Sequence, residues 1–514
     1  MAEFTQKQKG GLYELSDSAR AQLIDSKYYN VDLAPTSFSE RTWNTYHISM
    51  LWVGMSICIP SFMMASGMVG MGLSVWMAVL NVVLGNIIIL IPIQLNSHAG
   101  TKYGIPFPVF ARLTFGPLGA HFPSLSRAIT ACFWNAVQCS VGGAAVIYMV
   151  QAIVPSIDHN AMSAVWIGFL IFLVLTCLLT MFGEKVIKSF ESIGSPILLV
   201  LSVALLVWAI GIAAKDGISF GELLSTDLTA ADVNDGGGFL LVFLGGLTAN
   251  ISFWATMALN IPDFSRYAKS QKTQFRGQLY GMPLTMAFCA IVGAVFAQAT
   301  FMVYGTAMFD PTEALGTLGD GALMRVVMFV VGFGVIIATL TTNIAANVVA
   351  PANGFSNIAP KAISYRIGTI ASCVIAIIFF WMMNLSDTMS NFMFSFMNLY
   401  GGILAPVAAI FIADYYIVKK RNIDVQALYM GREGRYWYQG GFNAIAFIAW
   451  VAGAIIPTLV SAGVLPNTGA LGWINANAYI FAFVVAFIIY IIFMSRKSVS
   501  FISDEEEAAM TQVV

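Results

Sequence analysis

Polar side chains that could hold a ligand are few in this chain, and they cluster inside apolar segments. Trp134 and Gln138 stand at i, i+4 spacing and so share one face of a helix. An indole offers a stacking plane, while a glutamine amide presents a donor beside an acceptor, which matches the alternating N–H and C=O edge of a nucleobase or hydantoin ring. The competing interpretation is a packing tryptophan with an interhelical hydrogen bond.

A polar run from Ala338 to Asn347 is the second such cluster. Ala338, Thr341 and Thr342 have i, i+3 and i+4 spacing, so one carbonyl and two hydroxyls could point at a single spot. Sodium takes oxygen ligands, and neutral oxygens bind it weakly enough for release. Asn347 lies about half a turn further round an ideal helix, which suits a separate role facing a substrate. Threonines that bond back to their own helix are the competing interpretation.

The third cluster begins with Trp254 and continues into the string NIPDFSRYA at residues 260–268. Pro262 is expected to end the helix. Asp263 and Arg266 could then pair at the membrane surface, which by itself is ordinary interfacial chemistry.

The composition places these clusters in a membrane. Hydrophobic residues make up 58% of the 514 residues and charged residues only 10%, against about 25% charged in soluble proteins. Twelve apolar segments are each about long enough for the ~30 Å hydrocarbon core. The predicted spans are residues 48–70, 74–97, 128–152, 162–182, 193–214, 238–261, 280–305, 324–349, 367–384, 391–416, 440–462 and 474–494. We therefore expect an all-α integral membrane protein with twelve transmembrane helices.

Positive charge concentrates on one side of these spans. The N-terminal tail and the even-numbered gaps carry 23 of the 25 lysines and arginines, while Lys215 and Arg325 fall on the other side. By the positive-inside rule, this pattern predicts that both termini are cytoplasmic. The net charge of −1 arises because the opposite charges of the loops on the two sides nearly cancel. No basic patch with interleaved aromatics suggests nucleic acid as a partner.

Helix breakers mark two spans and suggest an internal repeat. Span one carries Pro60, and span six holds glycines at 236–238 and 245–246. Spans one and six are equivalent if residues 43–214 and 238–416 form two inverted five-span halves. Interrupted helices in equivalent positions point to a transport site at mid-membrane. Close helix packing through glycine is the competing interpretation.

The regions outside the two halves have simpler expectations. Residues 440–494 would add helices eleven and twelve to a single membrane domain at 43–494. Residues 1–42 would form a mobile cytoplasmic tail, with a short helix possible around residues 16–25. Residues 495–514 would form a second, solvated cytoplasmic tail.

Several kinds of chemistry find no support in the sequence. The span interiors hold no Asp, Glu, Lys or Arg, which argues against the usual proton relays and for a neutral cargo. HExxH, CxxC, GxSxG and Walker motifs are missing, so the protein is not expected to be an enzyme. The six cysteines lie inside spans, where disulfides are not expected. No cofactor and no obligate protein partner are indicated.

Five ordered stretches carry a resemblance to a known family. The chain resembles the first nucleobase:cation symporter family, whose members carry purines, pyrimidines, allantoin and hydantoins. The stretches are residues 40–43, residues 106–112, Trp134 with Gln138, residues 260–268 and residues 341–347. They follow in order over nearly the whole chain, and the string at 260–268 is specific.

The resemblance implies the fold and the substrate site. The fold would be an inverted five-plus-five repeat with discontinuous helices one and six and two extra C-terminal helices. By motif position, Trp134 and Trp254 would sandwich the substrate ring. Gln138 and Asn347 would bond the edge of that ring.

The resemblance also implies a cation site beside the substrate. The carbonyls of Gly54, Ile57 and Ala338 and the hydroxyls of Thr341 and Thr342 would be its ligands. Sodium is the expected coupling ion, and a proton is the alternative.

The sequence departs from the family's pattern at two positions. Cys58 stands in span one where a glutamine is expected, and Phe253 precedes Trp254 where a glycine is expected. Phe253 is therefore expected to line the substrate pocket and to change its shape.

The expected function is cation-coupled uptake of a neutral heterocycle by alternating access across the plasma or inner membrane. The candidate cargoes are allantoin, hydantoin, uracil, cytosine and purines, and the partners are this small molecule and the lipid bilayer. An amino-acid or amine symporter of the same fold is the main alternative. A channel is less favoured, because the polar clusters are isolated rather than continuous. A receptor would need a larger extracellular domain than the gap at 215–237.

Overall fold

The computed structural model describes residues 6–182, 184–225, 238–305, 307–308, 314–315, 321–385 and 389–495. Within those ranges the regular structure is helical, apart from one antiparallel hairpin of β1 (Gln6–Lys9) and β2 (Leu12–Leu15). The all-α expectation is confirmed. The predicted C-terminal tail from residue 496 onward and the glycines at 236–237 lie outside the described residues.

Twenty α-helices follow one another in the described part of the chain. They are α1 (Asp17–Leu23), α2 (Thr45–Ser56), α3 (Ile59–Gly70), α4 (Val75–Tyr103), α5 (Phe107–Phe115), α6 (His121–Ile153), α7 (Met162–Thr180), α8 (Glu184–Lys215), α9 (Phe220–Ser225), α10 (Gly238–Phe253), α11 (Ala255–Asn260), α12 (Pro262–Ser265), α13 (Gln271–Tyr304), α14 (Ala322–Asn343), α15 (Val349–Ile358), α16 (Tyr365–Met383), α17 (Met389–Ile412), α18 (Ala444–Ser461), α19 (Gly469–Ala476) and α20 (Ala478–Met494).

Many of these helices can cross a bilayer. Among the described residues nine are long and apolar enough, and eleven spans result if each of two bent pairs counts as one. The pairs are α2 with α3, bent by 54°, and α19 with α20, bent by 87°. The remaining predicted span falls on α8, whose apolar part Leu199–Lys215 is shorter. Apolar side chains such as Ile91, Val174 and Leu284 are exposed on the outside, as expected where lipid is the solvent. The count of twelve stays a prediction.

Spans one and six are both discontinuous, but span six breaks at a different place from the one predicted. Ile57 and Cys58 leave helical geometry between α2 and α3, and Pro60 lies in the first turn of α3, where its missing N–H is harmless. In span six, α10 runs through the glycines at 245–246 without interruption. The interruption is at Trp254, which separates α10 from α11 (φ −102°, ψ 8°).

The eighth span contains a π-helical segment that the sequence analysis did not anticipate. α14 passes into a π-helix at Ile344–Val348 and then into α15. Pro351 has no N–H to donate to the carbonyl of Asn347, and its ring crowds that carbonyl, which favours the wider turn. The half-turn estimate between Ala338 and Asn347 assumed an ideal helix, so it does not hold here.

Residues 6–42 are folded, so the mobility expected for them is wrong. The hairpin, α1 and a 3₁₀ turn at Val31–Leu33 cover the side of the protein where the arginines and lysines concentrate. We call residues 6–43 the N-terminal segment and this side the basic face. Leu15 and Leu33 are buried in the core, and Arg41 donates to a main-chain carbonyl of α4 at 2.9 Å. These anchors hold the segment in place, while α1 confirms the expected short helix.

Glycines let α13 approach both halves of the broken span closely. A Cβ at Gly281 would lie 2.7 Å from the Cβ of Trp52 in α2. A Cβ at Gly293 would lie 2.3 Å from the Phe62 carbonyl oxygen in α3. α13 therefore packs against α2 and α3 and fixes the angle between them.

Replacing Gly293 with alanine is expected to destabilise the protein by about 1–3 kcal/mol, because the added methyl group overpacks a contact with backbone. Thermal unfolding of the purified protein in detergent would show a lower midpoint. Gly245→Ala in α10 is the matched control, since a Cβ there meets nothing within 4 Å. Equal midpoints for the two variants would contradict the close contact between α13 and α3.

Candidate functional site

The break in span one frees a main-chain carbonyl that α14 then uses. In a regular helix Cys58 N–H would donate to the Gly54 carbonyl, but here it donates to the Ser56 carbonyl at 3.0 Å. The Gly54 carbonyl instead accepts a 2.6 Å hydrogen bond from Thr342 Oγ1. Two predicted cation ligands on different helices are therefore in direct contact.

A second pair of carbonyl and hydroxyl lies beside the first on α14. Thr341 Oγ1 donates to the Ala338 carbonyl at 2.8 Å and to the Ile337 carbonyl at 3.2 Å, so the back-bonded geometry is also present. Ile57 and Ala338 line a cavity of about 270 Å³ between α3, α8 and α14, and its lining residues are uncharged. The described part of the chain holds no group of three or more His, Cys, Asp or Glu that could bind a metal ion. A cation here would depend on neutral oxygens.

Four aromatic rings form a row across the break in span six. Phe253 contacts the Trp134 ring at 5.3 Å and the Trp254 ring at 5.0 Å between centroids, both edge to face. Trp254 in turn contacts Trp52 at 5.2 Å. The structure thus brings the two predicted stacking residues to one place, and Phe253 touches both of them. The ring of Phe253 narrows the space beside the indoles.

Several polar atoms around this row are buried without a hydrogen-bond partner. They include the indole N–H groups of Trp52, Trp134 and Trp254, the amide oxygen of Gln138 and the hydroxyl of Tyr400, which approaches the Trp134 indole. Each such group costs about 1–3 kcal/mol while it is unpaired. A ligand that supplied complementary groups would remove that cost. Donors and an acceptor beside aromatic faces fit an uncharged planar ring that carries both C=O and N–H groups.

A row of asparagines links Asn347 to α6. Asn347 Nδ2 donates to Asn343 Oδ1 at 3.2 Å, and Asn343 Nδ2 donates to Asn135 Oδ1 at 2.7 Å. These bonds fix the orientation of the Asn347 amide. Asn135 and Asn343 were not among the predicted site residues, although Asn135 directly follows Trp134 and Asn343 belongs to the same polar run as Asn347.

Cys58 connects the aromatic row to the carbonyl pair. Its thiol lies 3.2 Å from Ser61 Oγ and also contacts the Gln138 amide and the Thr342 hydroxyl. The side chain that departs from the family's pattern therefore lies where the predicted substrate and cation ligands meet.

A buried arginine closes the site toward the basic face. Arg127 Nε donates to the Thr256 carbonyl at 3.1 Å and to Asn260 Oδ1 at 3.0 Å, and a terminal nitrogen donates to the Ala346 carbonyl at 2.7 Å. Arg127 thereby ties α6 to α11 and to the π-helical segment. This role was not predicted, because Arg127 stands one residue before the predicted third span, where an arginine is usually an interfacial charge.

Asp263 and Arg266 each take a partner other than the one expected. Asp263 Oδ1 accepts a 2.8 Å hydrogen bond from the Phe107 N–H at the start of α5. Arg266 donates to the Asp32 carbonyl at 3.3 Å and to the Tyr267 hydroxyl at 2.8 Å. Both side chains are buried under the N-terminal segment, which the sequence analysis had treated as mobile.

Two curated relatives resemble the chain over most of its length. A purine-uracil permease of Arabidopsis thaliana is 37% identical over 494 residues, which cover 92% of this chain and 79% of the relative. An allantoin permease of Bacillus subtilis (strain 168) is 30% identical over 489 residues, which cover 92% of this chain and 94% of the relative.

The fold has a solved counterpart. A nucleobase-cation-symport-1 family transporter, in a closed conformation with bromovinylhydantoin bound, superposes with a TM-score of 0.75. The alignment covers 95% of this chain and 100% of that chain at 22% identity, so it supports the shared architecture and not a shared cargo.

A family model described as permease for cytosine/purines, uracil, thiamine and allantoin matches residues 35–473. The chain is thus a multi-pass membrane protein, and it belongs to this family of permeases, which are transporters.

Proposed function

We propose that this permease carries a small, neutral, planar heterocycle of the nucleobase or ureide class into the cell together with a cation. The observation that supports this most strongly is the set of unpartnered indole and amide groups beside the carbonyl and hydroxyl pairs at the break in span one. The names of the relatives agree with it, since one is a purine-uracil permease and another an allantoin permease.

The proposed substrate site has a division of roles. Trp134 and Trp254 supply stacking faces and indole donors, and Gln138 and Asn347 bond the edge of the ring. Phe253 closes one side and limits the size of the cargo. An amino acid is less well supported as cargo, because its carboxylate and ammonium would need countercharges that these five side chains do not supply.

Sodium is the proposed coupling ion, held by the carbonyls of Gly54, Ile57 and Ala338 and the hydroxyls of Thr341 and Thr342. Hydroxyl oxygens can turn their protons away and offer lone pairs to an ion, so the present hydrogen bonds keep the ligands close without blocking them. Coupling requires only that the ion favour one conformation, and a tenfold preference is worth about 1.4 kcal/mol.

Alternating access is the proposed mechanism, with residues 43–214 and 238–416 as the two inverted repeats and residues 440–494 as added helices. The Arg127 contacts close the site toward the basic face in this structure. The excess of arginine and lysine on that face supports placing it, with both termini, in the cytoplasm. The membrane would be the plasma or inner membrane.

Replacing Gln138 with leucine is expected to raise the half-saturating cargo concentration about tenfold to a hundredfold, because a bound ring edge would lose its partner in a buried site. Uptake of radiolabelled allantoin, uracil, cytosine and purines into cells would measure the change. Gln151→Leu near the far end of the same helix is the matched control. Unchanged uptake by Gln138→Leu at normal surface expression would exclude the proposed ring contact.

Replacing Thr342 with valine is expected to raise the half-saturating sodium concentration at least about tenfold, since one oxygen ligand is removed at nearly constant volume. Thr342→Ser should keep most of the sodium affinity. Thr339→Val, a buried neighbour on the same helix, is the control. Sodium would be rejected as the coupling ion if uptake by the wild-type protein depended on a proton gradient and not on a sodium gradient.

Replacing Phe253 with alanine is expected to admit larger cargoes, because the ring that touches both tryptophans is removed. Benzylhydantoin should inhibit the uptake of labelled cargo at a concentration at least about tenfold lower than in the wild type. An effect of this size is expected when a pocket gains room for several methylene groups. Phe243→Ala, earlier on α10, serves as the control. Equal competition in the variant and the wild type would show that Phe253 does not limit cargo size.

A further inference from the structure

A second cavity, of about 370 Å³, lies at the basic face and has no role in the proposed site. The N-terminal segment covers it, and α12, α15 and the start of α16 form its walls. Its lining includes Trp43, Asp263, Arg266, Tyr267, Asn353 and Tyr365. Its volume falls within the range of small-molecule pockets.

The cavity follows the proposed substrate site along two spans. In span six, Trp254 belongs to the site, Thr256 and Asn260 bind Arg127, and Asp263 lines the cavity. In span eight, Asn347 is followed by Val349 and Asn353, which also line the cavity. In span six the Arg127 contacts therefore lie between the proposed substrate site and the cavity, on the way from mid-membrane to the basic face.

Two buried polar atoms in the cavity wall lack partners. Asp263 is 2% exposed, and its Oδ1 is bound by Phe107 N–H. The Asn260 amide approaches the carboxylate, but Oδ2 has no hydrogen bond of good geometry. Arg266 is 7% exposed, and its Nε has no acceptor although its terminal nitrogens are occupied. Burial raises the pKa of Asp263 to about 6, so the carboxylate is mostly ionised at neutral pH. One acceptor and one donor therefore remain for a ligand.

The charges of the cavity nearly balance. Arg20 and Arg266 face Asp32, Glu40 and Asp263 across it, so neither a strong anion nor a strong cation is favoured. The aromatic walls include Trp43 and Tyr267, whose rings stack on each other at 5.8 Å. An uncharged ring with adjacent N–H and C=O groups suits such walls.

We propose that this cavity is an exit subsite, in which a neutral nucleobase or ureide released from the central site binds Asp263 Oδ2 through an N–H and Arg266 Nε–H through a C=O. The proposal rests on the proposed function, because it assigns the same cargo class to a second position on the inward route. Opening the Arg127 contacts would join the proposed substrate site to this cavity.

Transport measured separately from the two faces tests the exit subsite. Full-length protein is reconstituted in liposomes with one orientation selected, and the half-saturating concentration of radiolabelled uracil is measured from each face, with allantoin as second probe. Asp263→Asn keeps the oxygen that Phe107 binds and turns the free acceptor into a donor. This variant is expected to raise the half-saturating uracil concentration measured from the basic face about tenfold. The value measured from the other face should change by no more than about twofold.

Glu40→Gln is the matched control, because it removes the same charge at the rim of the cavity while Glu40 Oε2 is already bound by Ser37 N–H and Oγ. Glu40→Gln should change the half-saturating uracil concentration by no more than about twofold at either face. The exit subsite would be overturned if Asp263→Asn changed the half-saturating concentration by the same factor at both faces, or changed it at neither face.

Equilibrium binding covers the case in which Asp263→Asn does not reach the membrane. Purified Trp254→Ala, which lacks a central stacking residue, should keep weak saturable binding of uracil or allantoin, and Arg266→Lys in that background should abolish it. Absence of binding to Trp254→Ala, or binding unaffected by Arg266→Lys, would overturn the subsite. A wild-type protein that transports no heterocycle would overturn the proposed function instead.

Discussion

The break in span one imposes the constraint on which the site depends, because a main-chain carbonyl that leaves a helix inside a bilayer must find another partner. Cys58 N–H turns to the Ser56 carbonyl, and the Gly54 carbonyl then accepts from Thr342 Oγ1 at 2.6 Å. This one exchange links the first span to the eighth. It also directs Cys58 toward Gln138, which brings the third span to the same point.

A site built from neutral groups can release what it binds. The carbonyls of Gly54 and Ala338 accept hydrogen bonds from Thr342 and Thr341, so these proposed ion ligands carry little penalty of their own. The indole and amide groups near Gln138 do carry one, since their partners are missing. The proposed ion ligands are thus satisfied within the protein and the proposed ring ligands are not, which favours cargo binding without a permanent countercharge.

The sequence predicted the helices and the clustering of site residues better than it predicted local geometry. Long apolar segments specify helices strongly, and Trp134, Trp254 and Asn347, which motif order selected, are linked in the structure by ring contacts and amide hydrogen bonds. Helix breakers were expected in span six at glycines 236–238 and 245–246, yet residues 245–246 stay helical and the break falls at Trp254, because glycine permits a break without requiring one. The folded N-terminal segment was missed, since its anchors bind residues far away in the chain.

The Arg127 contacts can close the path between the proposed substrate site and the cavity at the basic face without a strong ion pair. Its guanidinium is fully buried, and it is held by two carbonyls and an amide oxygen rather than by a carboxylate in direct contact. A buried charge with neutral partners gains less than a buried ion pair in good geometry, and one terminal nitrogen has no partner at all. Water entering from the basic face could replace each of these acceptors at similar strength. The proposed opening toward the basic face therefore requires only that water reach these acceptors.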